Sequence, residues 1–166
     1  MGHPNADIMF VGEAPGTVEN ESLIPFSGKT SDLFGDIMKM LSVTRNTAYM
    51  TYLIKTMLPS NDAPDNEYLN HCYNHVYQEI SIVKPKIIIA LGFYSSSILL
   101  KKMTDKKMTS LEEYHGNAYY TDSGAFIIPT YNPALDGYDI KERILGDVVA
   151  AGIVLDSYKN LIPDQD

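Results

Sequence analysis

A stiff loop near the start of the chain carries the first residues that could do chemistry. Residues 12–16 read Gly-Glu-Ala-Pro-Gly and directly follow the apolar run 8–11, so they stand where a buried strand gives way to a loop. The two glycines permit close backbone approaches, and Pro15 stiffens the segment between them. Glu13 is therefore predicted to be a rigidly held carboxylate at the carboxyl end of a strand, where open α/β sheets bind ligands.

Phe26 lies on a second glycine-bounded stretch, Ile-Pro-Phe-Ser-Gly at 24–28. A positioned carboxylate together with a flat apolar ring suits a planar ligand with polar edges, such as a nucleobase. Backbone N–H groups of the 12–16 loop could bind the carbonyl oxygens of a pyrimidine. The alternatives are that Phe26 only anchors its loop in the core and that Glu13 only accepts hydrogen bonds from its own loop.

Elements that would position these residues alternate along the chain. Strands are predicted at 6–11, at 46–51 with Leu53 and Ile54, at 87–91, and at 118–121 and 125–129 around the turn 122–124. Helices are predicted at 30–41, 66–83, 93–100 and 140–161, and a Pro-, Asn- and Asp-rich loop at 58–66. This order predicts an α/β fold of three layers, α/β/α, around a central, mostly parallel four-stranded sheet.

Composition limits the class of protein. The 166 residues, of which 45% are hydrophobic, predict a single domain over 1–166. The sequence contains no apolar run long enough to cross a membrane and no secretory signal pattern, so a cytoplasmic protein without a membrane partner is predicted. A lone cysteine, Cys72, excludes an internal disulfide. His71 and His75 have the spacing of a metal pair but no third ligand nearby, so they are predicted to be surface histidines and no metal is predicted.

The formal net charge of −8 argues against a large basic nucleic-acid interface. A local basic rim remains an alternative, because net charge constrains association more than fold. Its candidates are Lys29, Lys55, Lys101, Lys102, Lys106 and Lys107. The last four are equally well read as ordinary solvated lysines.

Further motifs follow the two loops in a fixed order. They are Tyr49-Met50-Thr51 with Lys55, residues 85–92, and Pro129-Thr130-Tyr131-Asn132-Pro133-Ala134. Together with 12–16 and 25–29, this ordered set covers most of the chain and resembles the uracil-DNA glycosylase superfamily, most closely its iron-sulfur branch. The resemblance implies that superfamily's fold. It also implies hydrolytic excision of uracil or a modified pyrimidine from single- or double-stranded DNA, with the base extruded from the stack.

The resemblance also implies roles for individual residues. Glu13 and Asn132 would be catalytic. Gly12, Ala14, Gly16, Phe26 and Tyr52 would bind the base, with Phe26 stacking on it, and Lys29, Lys55 and Leu135 would contact DNA. Glu19 matches an acidic position of the first motif, although a solvated loop carboxylate is an equal alternative.

Three departures from the family pattern affect these expectations. Tyr52 replaces the asparagine that reads the uracil edge, which implies a changed or narrowed pocket. Asn132 replaces a histidine. It either still donates a hydrogen bond to a base oxygen as a neutral amide or only stabilises the turn before Pro133. The branch's iron-sulfur cluster uses four cysteines, of which only Cys72 remains, with Thr56 in place of another. No cofactor is therefore predicted, and Cys72 is expected to pack as a small apolar residue.

Two functions follow from these observations. The first is an active DNA glycosylase, favoured by the intact Glu13 and Phe26. The second is a catalytically impaired module that binds a modified base, a nucleotide, or a replication or repair protein without turnover. The acidic charge and the two replaced motif residues favour the second. The base, the strand preference and the oligomeric state stay open.

Overall fold

Five strands and five helices make up the described chain. The structure is a computed structural model that describes residues 1–58 and 63–161. The strands are β1 (Ile8–Gly12), β2 (Tyr49–Tyr52), β3 (Ile87–Leu91), β4 (Tyr119–Tyr120) and β5 (Phe126–Thr130). The helices are α1 (Thr17–Ser22), α2 (Ser31–Met40), α3 (Asn66–Val83), α4 (Phe93–Met103) and α5 (Tyr138–Leu161). Positions 59–62 of the predicted 58–66 loop lie outside the described residues.

The strands form one sheet in the order β2-β1-β3-β5-β4. The first four are mutually parallel, and β4 pairs antiparallel with β5 at one edge. The predicted mostly parallel α/β fold is therefore confirmed. The four parallel strands are the predicted core, and the two-residue β4 belongs to the predicted hairpin around 122–124.

The two faces of the sheet are covered by different helices. Along β1 and β3, side chains alternate between the faces, as strand geometry requires, and all residues of β3 are buried. Met9 and Ile88 pack with α3 and α4, whereas Phe10 and Ile89 pack with α2 and α5. Burial on both faces explains why these strands read as continuous apolar runs.

Most helices lie where the apolar periodicity predicts them. Helix α3 has the predicted bounds, and Asp65 caps it by accepting the Tyr68 N–H at 2.8 Å. The other predicted helices differ at their ends by up to three residues. The short helix α1 was not predicted, because Thr17–Ser22 is polar and has no apolar periodicity. No described helix is long and apolar enough to span a membrane.

The parallel strands bring several loops to one edge of the sheet. The loop after β1 carries Glu13, Tyr52 is the last residue of β2, and Gly92 connects β3 to α4. Residues 131 and 132 follow β5. Because carboxyl ends of parallel strands share an edge, residues far apart in sequence meet there.

Candidate functional site

A cavity of about 210 Å³ lies at this edge of the sheet. It is lined by Gly12, Glu13, Ala14, Gly16, Glu19, Phe26, Lys29, Thr30, Tyr52, Asn132, Pro133 and Ala134. The cavity thus brings together the residues proposed for the site from the sequence, except Lys55 and Leu135. Glu19 and Thr30 join them.

Glu13 is fixed by hydrogen bonds to two distant elements. Its Oε1 accepts the backbone N–H of Tyr94, in the first turn of α4, at 2.9 Å, and its Oε2 accepts from Nδ2 of Asn132 at 2.8 Å. Burial raises the pKa of Glu13, while the hydrogen bonds from Tyr94, Asn132 and Phe93 act to lower it. The carboxylate therefore points into the site rather than into solvent.

Gly92 makes room for this carboxylate. Its φ is +105°, and a Cβ built there would lie 2.5 Å from the Glu13 side chain. A larger residue at position 92 would therefore be strained and would displace Glu13 from the start of α4. The sequence shows Gly92 only as the end of a strand.

Glu13 and Asn132 also line a second cavity, of about 330 Å³. Its other walls include Met57, Leu58 and Tyr94. The Glu13–Asn132 pair is thus shared by two neighbouring cavities, so a ligand spanning both would pass directly over the carboxylate.

Phe26 is both part of the core and a wall of the first cavity. It is 2% exposed, and its ring stacks on Phe34 with centroids 4.3 Å apart and an interplanar angle of 15°. Its φ of +54° is uncommon for a residue with a side chain and marks a constrained loop. The two readings of Phe26 from the sequence, core anchor and ligand platform, are therefore compatible.

Arg45 holds the Phe26 loop and was missed from the sequence. Its two terminal nitrogens donate to the carbonyl oxygens of Pro25 at 2.6 Å and of Phe26 at 2.8 Å. The guanidinium also lies over the Phe34 ring, 5.4 Å from its centroid. Nothing in the local sequence signals this role, because Arg45 lies in the turn before β2.

Arg45→Lys is expected to lower the free energy of unfolding by about 1–2 kcal/mol, because an ammonium group cannot reproduce the planar fork that holds two carbonyl oxygens. Urea denaturation measures the change. Arg143→Lys is the matched control, since the carboxylate partners of Arg143 are exposed and such pairs contribute about 0–1 kcal/mol. Equal losses in both variants would contradict a special role for Arg45.

The Tyr52 hydroxyl is hydrogen-bonded to the backbone N–H of Phe26. The hydroxyl oxygen accepts this N–H at 2.9 Å, and the rings of the two residues lie 4.9 Å apart. The Tyr52 ring also lies against Gly12, where an added Cβ would be 2.8 Å from it. Burial raises the pKa of Tyr52 to about 12, so the phenol is neutral at physiological pH. A ligand in the cavity therefore meets a neutral hydroxyl and an aromatic edge at this position.

Glu19 is a structural carboxylate. It is 8% exposed, and its Oε1 accepts the Gly28 N–H at 2.9 Å. The alternative that Glu19 is a solvated loop residue is therefore wrong. This hydrogen bond connects α1 to the loop that carries Phe26, and Glu19 itself also lines the cavity.

The candidate DNA-contacting residues are dispersed. Lys29 lies at the cavity and pairs with the exposed Asp136 at 2.6 Å. Lys55 lies outside the cavity, where its Nζ pairs with Glu79 at 2.7 Å. Leu135 is 54% exposed and follows the cavity residue Ala134. Lys101, Lys102, Lys106 and Lys107 are exposed.

The residues present do not fit an iron-sulfur cluster. Cys72 belongs to α3 and is buried in the core, and burial raises the pKa of its thiol. Within residues 1–58 and 63–161, no group of three or more His, Cys, Asp or Glu residues is arranged to hold a metal. The rings of His71 and His75 meet edge to face at 5.6 Å.

Comparisons with known proteins converge on one family. The profile of the Uracil DNA glycosylase superfamily matches residues 1–135. A type-4 uracil-DNA glycosylase of Sulfurisphaera tokodaii is 33% identical over 142 residues, covering 83% of this chain and 64% of the relative. Proteins of the same name from Saccharolobus solfataricus and Pyrobaculum aerophilum are 34% and 32% identical, covering 83% and 80% of this chain and 65% and 69% of their own lengths. This chain thus spans just under two thirds of the length of the first two relatives.

Proposed function

Since the chain belongs to the uracil-DNA glycosylase superfamily, we propose that it hydrolyses the N-glycosidic bond of uracil or a modified pyrimidine in DNA. The observation that carries the proposal is the convergence of Glu13, Asn132 and the Phe26 ring on one cavity. The relatives' name supports the reaction class, and the cavity supports a base as the group bound.

The base would occupy the smaller cavity, against Phe26. That ring is held in place by Phe34 and contributes to the cavity wall beside the Tyr52 ring. An extruded base needs such a stacking surface together with hydrogen bonds to its edge. Backbone N–H groups of the 12–16 loop are candidates to bind its carbonyl oxygens.

Glu13 would act at the sugar. With the base in the smaller cavity and the deoxyribose toward the larger one, the glycosidic bond passes the carboxylate shared by both. As the C1′–N bond breaks, its electron pair leaves with the base and positive charge develops on the sugar, which the carboxylate stabilises. Water then adds to C1′ and loses a proton, and the departing base takes one up.

Asn132 would assist departure of the base. An amide nitrogen carries two hydrogens, of which one is donated to Glu13. The second is available to a base oxygen on which negative charge develops. Asn132 also accepts the Ala134 N–H at 2.9 Å, so the turn role weighed from the sequence and the pocket role are compatible.

The test is a strand-break assay. Oligonucleotides carrying uracil, 5-hydroxymethyluracil, hypoxanthine or ordinary bases are incubated with the protein, and abasic sites are then cleaved by alkali. We expect breaks at uracil or at the modified pyrimidine, and none at ordinary bases. Absence of breaks on every substrate would overturn the proposed activity.

One observation favours the second candidate, a binding module without turnover. Both oxygens of Glu13 already accept hydrogen bonds, and the Phe26 N–H is taken by Tyr52. Such a module would still bind a base-containing oligonucleotide, or a replication or repair partner. Tight binding without strand breaks, weakened by Phe26→Leu, would support it.

A further inference from the structure

Thr30 lines the cavity and carries a buried hydroxyl that has no partner among the described residues. It is the residue that caps α2 and is 8% exposed, and its side chain makes no capping hydrogen bond. Within the described part of the chain, its Oγ1 is buried and has no hydrogen-bond partner. Thr30 lines the cavity together with Phe26.

The other polar side chains of the cavity each already make at least one hydrogen bond or ion pair. Glu13 accepts from Tyr94 and Asn132, and Glu19 accepts from Gly28. The Tyr52 hydroxyl accepts from Phe26, and Lys29 pairs with Asp136. Thr30 thus differs from them in that its whole hydrogen-bonding capacity, one donor and two lone pairs, is unused among the described residues.

An unpaired buried hydroxyl is unfavourable for the fold. A buried polar group without a partner loses its hydration and gains nothing in return. Valine has nearly the same shape and would avoid this penalty. A residue that is suboptimal for stability and lines a cavity is the kind found where a ligand completes the hydrogen bonding.

We propose that the Thr30 hydroxyl hydrogen bonds an exocyclic oxygen of the bound base and so helps to determine which base is accepted. This inference rests on the proposed function, in which the cavity holds the base. The oxygen is either a ring carbonyl, as in uracil, or the hydroxyl of a 5-hydroxymethyl group. Rotation about the Cα–Cβ bond of Thr30 moves its hydroxyl between staggered positions, so the hydroxyl can turn toward the ligand without backbone movement.

The experiment compares Thr30→Val with Thr104→Val. The Thr104 hydroxyl donates to Leu100 at 2.6 Å at the end of α4, away from the cavity. Single-turnover excision is measured on oligonucleotides carrying uracil or 5-hydroxymethyluracil. Thr30→Val is expected to lower the rate on the recognised base roughly tenfold, because a ligand oxygen loses its partner. Thr104→Val is expected to leave excision unchanged.

The two substrates distinguish the two sources of the oxygen. If Thr30→Val lowers the excision rate equally on both substrates, the oxygen is a ring carbonyl. If the rate falls only on 5-hydroxymethyluracil, the oxygen belongs to the hydroxymethyl group. Unchanged rates on both would overturn the role of Thr30 while leaving the glycosylase proposal intact.

If the wild-type protein excises neither base, the glycosylase proposal fails, and the dissociation constants of the same oligonucleotides test the Thr30 inference. A roughly tenfold weakening in Thr30→Val then supports it, and equal or undetectable binding overturns it.

Thermal unfolding separates recognition from a structural role. Thr30→Val is expected to leave the midpoint unchanged or to raise it, because the variant removes an unpaired polar group. Thr104→Val is expected to lower it by roughly 2–4 °C, because that variant removes a hydrogen bond. A lower midpoint for Thr30→Val would show that its hydroxyl serves the fold, and would overturn the proposal.

Discussion

Replacing Glu13 by glutamine is expected to lower the rate of base excision by about a hundred- to a thousandfold. A neutral amide cannot stabilise the positive charge that develops on the sugar. It also places an NH2 group against the N–H donor of Tyr94 or Asn132, both of which now meet carboxylate oxygens. Single-turnover strand-break kinetics on uracil-containing DNA at neutral pH measure the effect.

Glu142→Gln is the matched control, because Glu142 is exposed on α5 and does not line the cavity. Its rate is expected to equal that of the wild type. If Glu13→Gln retained more than about a tenth of the wild-type rate, the oxocarbenium role of Glu13 would be excluded.

The pH profile provides a second readout for Glu13. Burial raises its pKa above the ordinary value of 4.5, so excision should decline with acidification at a higher pH than for an ordinary glutamate. This decline at acidic pH should be absent in Glu13→Gln.

The free energy of unfolding depends on pH in the opposite direction. Because the pKa of Glu13 is higher in the folded state than in the unfolded state, the stability that Glu13 contributes is fully present below the unfolded pKa. It is lost as pH rises through the folded pKa. The ionised form of Glu13 that the proposed catalysis needs is thus the form that burial disfavours.

Tyr52→Asn is expected to raise the rate of uracil excision by about tenfold to a hundredfold. The substitution removes the phenol ring beside Phe26 and frees the Phe26 N–H, which now donates to the Tyr52 hydroxyl. An amide in its place presents one donor side and one acceptor side, which match the adjacent carbonyl and N–H of uracil. The assay compares excision of uracil and 5-hydroxymethyluracil before and after the change.

Tyr52→Phe separates the two effects of Tyr52→Asn. It keeps the ring and frees only the Phe26 N–H, so its uracil excision is expected to lie between those of the wild type and Tyr52→Asn. If Tyr52→Asn gave no gain on uracil while remaining folded, the edge-reading role of position 52 would be wrong for this chain.

Much of the fold could be predicted from local patterns. The apolar runs of β1 and β3 are long enough to be strands and are buried on both faces, so few other arrangements suit them. Helix α3 combines a capping aspartate with a clear apolar stripe, and its bounds were predicted correctly. Helix α1 has neither signal, because it is short and polar, and the hydrogen bond between Gly28 and Glu19 connects it to the rest of the fold.

Part of the candidate site could also be predicted, because glycines and prolines on loops constrain the backbone locally. The proposed residues Glu13, Phe26, Tyr52 and Asn132 do line one cavity. The partners of these residues could not be predicted. Tyr94 lies 81 residues from Glu13 and Asn132 lies 119 residues from it, and no local pattern encodes such pairings.

The amino-acid sequence by itself determined the order along the chain of all strands and of every helix except α1, the edge of the sheet that carries the loops, and the residue types available there. Periodicity, glycine placement and charge are properties of neighbouring residues, so they act before the chain is folded. Only the tertiary structure decided that Arg45 supports the Phe26 loop, that Glu19 is buried, and that the Thr30 hydroxyl has no partner within residues 1–58 and 63–161. These are contacts through space, and they depend on how closely separate elements pack.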